Sequence, residues 1–142
     1  MYKRVLLPVS GENRGQRAHI ALKKALQVCD GIIILLHVTE PIPQTVGGEN
    51  RQELERENRA QGMLVVTPII EQLENAKVHF RTCIEAGTVA ETIVRIADEE
   101  KADLIVMFTD GREDLKDFLL GSTTERVLRN TGTDLLAVRR ED

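Results

Sequence analysis

Ile32-Ile33-Ile34-Leu35-Leu36-His37-Val38 is apolar at nearly every position, with no alternation of polar and apolar side chains along it. A strand with one face in water alternates, whereas a strand of a parallel sheet flanked by helices is covered on both faces and does not. The run is also far too short to cross a membrane. It is therefore read as a central strand of a parallel sheet. Leu104-Ile105-Val106-Met107-Phe108 has the same character and is read as a second such strand.

Outward from these two runs the chain alternates between strand and helix patterns. Val5–Val9 is an apolar strand meeting the turn Pro8-Val9-Ser10-Gly11. From Arg14, the residues Ala18, Ala21, Leu22, Ala25, Leu26 and Cys29 recur at helical spacing and form one apolar stripe. Asp30-Gly31 is expected to stop that helix. Pro41-Ile42-Pro43 to Gly47-Gly48 reads as a mobile loop. It leads into a charged helix from about Glu49 that carries Leu54, Met63, Leu64 and Val66. Pro68 predicts a kink or a restart there, with Thr67 as N-cap.

Val78–Ile84 alternates as an edge strand should, with Val78, Phe80, Thr82 and Ile84 on one face. Gly87-Thr88 opens a helix striped by Val89, Ile93, Ile96 and Ala97, and Glu91 three residues after Thr88 predicts a capping box. After Leu104–Phe108 comes the turn Thr109-Asp110-Gly111. Gly121-Ser122 then opens a last helix to Arg129, and Leu135–Val138 is the final strand. Five strands alternating with four helices predict an α/β fold, a three-layer α/β/α sandwich on a parallel sheet.

At 142 residues the chain is expected to form a single domain, residues 1–142. A net charge of −4 without a basic stripe argues against nucleic acid as a partner. Cys29 and Cys83 have no metal-ligand spacing and read as small buried hydrophobes in a reducing cytosol. Met1 lies directly before the first strand, with no signal-peptide pattern and no membrane-length apolar run. The expectation is a free-standing cytoplasmic chain without membrane insertion.

In an open parallel sheet, ligands bind beyond the carboxyl ends of the strands where the strand order reverses. Those ends are Val9-Ser10-Gly11, Val38-Thr39-Glu40 and Phe108-Thr109-Asp110-Gly111. Gly121-Ser122 adds the start of a helix, where unpaired amides and the helix dipole favour an anion. Ser10 has no nucleophile elbow and no evident base, so no catalytic residue is assigned to it. It is a turn hydroxyl or a ribose contact. His37 and His79 read as structural, His19 as solvent-facing, and Glu49 to Arg59 as a solvated helix face.

Val5-Leu6-Leu7-Pro8-Val9, Leu36-His37-Val38-Thr39-Glu40-Pro41, Gly87-Thr88-Val89-Ala90-Glu91, Ala102-Asp103-Leu104-Ile105-Val106-Met107 and Leu119-Leu120-Gly121-Ser122 resemble, in order, successive segments of the universal stress protein family. The resemblance spans nearly the whole chain. It implies a Rossmann-like five-stranded parallel sheet in the order 3-2-1-4-5, and a homodimer paired through the last strand, Asp134–Arg139. An unidentified protein partner is a further expectation.

The ATP-binding branch of that family uses an Asp closing the first strand, then Gly-x-x-Gly, nine residues and Gly-Ser/Thr. Here Gly111, nine residues and Gly121-Ser122 match the second half. Phe108 replaces the first Gly, Ser10 the Asp, and Asp110 a position often basic. The resemblance implies adenine near the backbone of Val9, Ser10 and Val38, and phosphates at Gly111, Gly121, Ser122 and Thr123. Met107, Phe108 and Asp110 complete the candidate site, and a Mg²⁺ bridge through Asp110 would offset the carboxylates of that loop.

Two functions follow from this resemblance. One is a nucleotide-responsive stress module holding AMP or weakly bound ATP. The other is a dimeric interaction protein without nucleotide. No base, metal cluster or donor array points to an enzyme beyond a slow ATPase.

Overall fold

The computed structural model describes residues 1–10, 14–109 and 121–139, with the side chains of 14–16 left aside. Among the described residues the elements are β1 (Tyr2–Pro8), α1 (Arg14–Val28), β2 (Cys29–Thr39), α2 (Gly48–Asn75), β3 (His79–Ala86), α3 (Val89–Glu99), β4 (Leu104–Phe108), α4 (Ser122–Asn130) and β5 (Asp134–Val138). The strands form one parallel sheet in the order β3-β2-β1-β4-β5. The order reverses between β2, β1 and β4. A ligand crevice belongs there in a sheet of this kind.

The unbroken apolar runs are explained by two cores, one on each face. Val5, Leu7, Ile33, Leu35, Leu104 and Val106 pack with Ala21, Leu22 and Ala25 of α1 and Val66, Ile69 and Leu73 of α2. Their chain neighbours Leu6, Ile34, Leu36, Ile105 and Met107 point the other way, onto Ala90, Ile93, Ile96 and Ala97 of α3 and Val127 of α4. Successive strand residues are thus buried on opposite sides, which leaves no position for a polar side chain. β3 lies at one edge, as its alternation predicts.

Several local expectations are corrected. Asp30-Gly31 does not stop a helix with a turn. α1 ends at Val28, and both residues lie inside β2. Tyr2 pairs with Cys29 but Arg4 with Ile32, so three β2 residues span two of β1 in a bulge. Gly31 occupies the extra space, because a Cβ there would lie 2.0 Å from the Lys3 carbonyl oxygen.

α2 does not restart at Pro68 but runs through it for 28 residues. Thr67 caps nothing, and its hydroxyl donates back to the Met63 carbonyl at 2.6 Å. The buried face of α2 holds the helix across its proline through Gly62, Val66, Ile69 and Leu73. Of the apolar residues this helix carries, Met63 and Leu64 are exposed. Thr88 is the N-cap of α3, but its side chain makes no capping hydrogen bond, so the capping box is not formed. Val89, expected on the buried stripe, is exposed as well.

Cys29 and Cys83 are only partly buried. The segment between β2 and α2 is bonded into a turn. The Val46 amide donates to the Pro43 carbonyl at 3.0 Å, and Arg51 donates to the carbonyls of Pro43 and Val46 at 3.2 Å each.

Candidate functional site

The site is assembled where three strands end. Past β1, the Val9 amide donates to the Leu36 carbonyl at 2.8 Å, which carries the pairing of β1 and β2 one residue beyond the strand. The Val9 carbonyl lies 2.9 Å from Nδ1 of His37. A carbonyl oxygen only accepts, so Nδ1 carries the proton of that bond. His37 thereby fixes the end of β1 and also lines the cleft, a role that its place in an apolar run did not reveal.

Past β4, the Thr109 amide donates to the Val138 carbonyl at 2.9 Å. The buried Thr109 hydroxyl accepts from the Gly121 amide at 3.0 Å. One threonine therefore sets the end of β4 against the start of α4. Sequence reading named Thr109 only as a turn residue. Its position between a central strand and a polar loop was the available signal.

These ends enclose a cleft of about 370 Å³, within the range of small-molecule sites. Val9 and Ser10 beyond β1, Val38 of β2, and Met107 and Phe108 of β4 line it. Gly121, Ser122 and Thr123 line it as well. Asp110 and Gly111, the other two candidates, lie outside the described residues. Arg17 and Ala21 of α1, with Ile93 of α3, supply walls that the sequence did not nominate. Helical spacing marked Ala21 and Ile93 as core, and they are both core and cleft wall.

Gly121 is the N-cap of α4, and no side chain caps this helix. The first-turn amides of Ser122, Thr123 and Thr124 have no intrahelical acceptor by construction, and the helix dipole adds partial positive charge there. Among the described residues the cleft lining includes Arg17 and no carboxylate. No group of three His, Cys, Asp or Glu side chains could hold a metal ion among the described residues. Asp110, the candidate Mg²⁺ bridge, falls outside them.

Among the described residues, two groups with shifted pKa values lie at the opposite end of the sheet. The Asp30 carboxyl is held below its ordinary value, first by the hydrogen bond from Lys3. The Tyr2 phenol is raised, first by its hydrogen bond to Asp134 at 2.9 Å. Neither group borders the cleft.

A parallel α/β sandwich with a cleft at its strand-order reversal defines a Rossmann-like fold. The universal stress protein family model matches residues 1–139, and the chain belongs to that family. It is 30% identical to universal stress protein MJ0577 of Methanocaldococcus jannaschii, over all of this chain and 98% of that protein. The solved MJ0577 structure has a TM-score of 0.75 and covers 100% of this chain and 99% of that one.

An Arabidopsis thaliana family member solved with AMP bound has a TM-score of 0.70 at 16% identity, covering 98% of this chain and 92% of that one. A universal stress protein solved in complex with cAMP has a TM-score of 0.71 at 20% identity, covering 96% and 97%. At those identities the likeness is one of fold. No helix among the described residues is long and apolar enough to cross a membrane.

Proposed function

We propose that this universal stress protein is a nucleotide-responsive module that takes up an adenine nucleotide, AMP or weakly bound ATP, in the cleft at the ends of β1, β2 and β4. The carrying observation is the meeting, in one cavity of about 370 Å³, of an apolar floor at Val9 and Val38 with the uncapped start of α4. The floor suits a flat base. The helix start suits a phosphate. That relatives of the same fold were solved with AMP and with cAMP adds support at the level of the family. In this reading the nucleotide acts as a signal.

The second reading, an interaction protein without nucleotide, draws on Phe108. This ring lines the cleft where the family's ATP-binding branch has glycine. Under either reading we propose a homodimer through β5, whose outer side has no strand partner within the described chain.

Mass spectrometry of gently purified protein, followed by calorimetry with AMP and ATP, tests the proposal. A co-purifying adenine nucleotide or a measurable AMP affinity is expected. Neither ligand binding at millimolar concentration would transfer the assignment to the interaction protein.

A further inference from the structure

Phe108 closes β4 on the same face as Leu104 and Val106, and it packs on the core shared with α1 and α2. Met107 takes the opposite face, toward α3 and α4. The phenylalanine ring is therefore directed to the α1 side of the strand end. There it meets Arg17, whose guanidinium carbon lies 5.4 Å from the ring centroid. That is within the roughly 6 Å over which the electron-rich face of an aromatic ring attracts a cation. Both residues line the cleft, together with Gly121, Ser122 and Thr123.

We infer that Arg17, seated on Phe108, contacts the ligand's phosphate and sets the preference of the cleft for a charged nucleotide over its nucleoside. The inference rests on the nucleotide reading above and names the side chain that completes it. A guanidinium presents a planar fork of donors matched to phosphate oxygens. Stacking on a ring holds that fork in a restricted set of rotamers, so less side-chain freedom is lost when a ligand arrives. Arg17 is also a cation, whereas the other anion-directed groups among the described lining residues, the first amides of α4, carry only partial charge. The aromatic residue in the place of a glycine is then a seat for the arginine, and the departure from the family pattern has a use.

Calorimetric titration of the full chain with AMP and with adenosine, at fixed ionic strength, tests this. The quantity read is the ratio of the adenosine Kd to the AMP Kd. Arg17→Ala is expected to lower that ratio by about tenfold, the scale of one charge-assisted contact. Arg17→Lys should recover only part of it, since an ammonium keeps the charge but neither the fork nor the stacking.

Phe108→Leu, which keeps the apolar packing and removes the ring, should lower the ratio by about threefold with the charge intact. Arg126→Ala, an exposed arginine on α4 outside the cleft, should leave it at the parent value. If Phe108→Leu does not fold, the two Arg17 variants still decide. A ratio within about twofold of the parent's in Arg17→Ala overturns the inference, as does a parent that binds AMP and adenosine equally; the cleft assignment survives both. A parent that binds neither ligand overturns the cleft assignment and this inference with it.

Discussion

The hydroxyl of Thr109 accepts a hydrogen bond from the amide of Gly121 at 3.0 Å, which joins the end of β4 to the start of α4 across twelve residues of sequence. Thr109 is buried, so its oxygen replaces water as the acceptor for that amide. Thr109→Val keeps the shape and removes the acceptor. The expected loss is about 1–2 kcal/mol, the cost of leaving a part-buried amide unpaired. Thr109→Ser should retain most of the stability. Urea unfolding of the three proteins checks this, and equal midpoints would mean that water satisfies Gly121.

Gly31 is held by the approach of Lys3. A Cβ at Gly31 would meet backbone at 2.0 Å, with no flexible side chain to yield. Gly31→Ala should destabilise by at least about 2 kcal/mol, because the β1–β2 pairing itself must move. Gly132→Ala meets nothing within 4 Å and is the matched control, expected within about 0.5 kcal/mol of the parent. Thermal unfolding of the two variants side by side distinguishes a steric cause from a general cost of replacing glycine.

The central strands were legible because burial on both faces excludes polar residues from Ile33–Leu36 and Leu104–Met107, and that exclusion is visible in one dimension. Gly31 was not. Asp-Gly is a turn signal by local chemistry, and only the neighbouring strand makes it a bulge. The restart expected at Pro68 fails for a related reason, since packing across Gly62, Val66, Ile69 and Leu73 outweighs a local breaker.

In the site, Val9, Ser10, Val38, Met107 and Phe108, named at strand ends, line one cleft, because the crevice is a property of the topology. Arg17 and His37 were missed as cleft residues. Their places on a helix and in an apolar strand carry no mark of which neighbours fold over them.

Lys101 has φ 54°, in the left-handed region, just past the end of α3. Its amide donates to Asp98 and that of Ala102 to Ala97, the two closing bonds of a Schellman motif that glycine usually serves. A Cβ in this conformation costs roughly 1–2 kcal/mol, and glycine returns about 0.4–1 kcal/mol of that through the freer unfolded chain. Lys101→Gly should therefore stabilise by about 0.5–1 kcal/mol. Lys77, with φ 58° past α2, should respond in the same direction. A lower melting temperature in Lys101→Gly would show that the lysine side chain makes a compensating contact.

Asp30 accepts from Lys3 at 2.8 Å, and its carboxyl pKa is lowered in the folded chain. A lowered carboxylate pKa contributes stability above the unfolded value, and that contribution is lost as pH falls through the folded one. The pair is exposed, so the effect on stability is small. The titration itself is the measurement. NMR of the Asp30 carboxyl should give a midpoint below the ordinary carboxylate value, and Lys3→Ala should move it back up. A midpoint unmoved by Lys3→Ala would assign the shift to another cause.

Among the described residues β5 pairs with β4 on one side only, and Leu135, Leu136 and Ala137 are incompletely buried along it. An apolar edge strand with unpaired amides and carbonyls is a template for another strand. Pairing with the same strand of a second copy would satisfy it with twofold symmetry and close the assembly at two. Sedimentation at micromolar concentration should show a dimer. Ala137→Pro removes one amide donor in the middle of β5 and places a ring on the strand, so it should shift the equilibrium toward monomer. Circular dichroism must accompany it, because Ala137 also lies beside Met107 of β4. A folded Ala137→Pro variant that remains a dimer would locate the contact elsewhere on the molecule, and a parent that sediments as a monomer would remove the proposal.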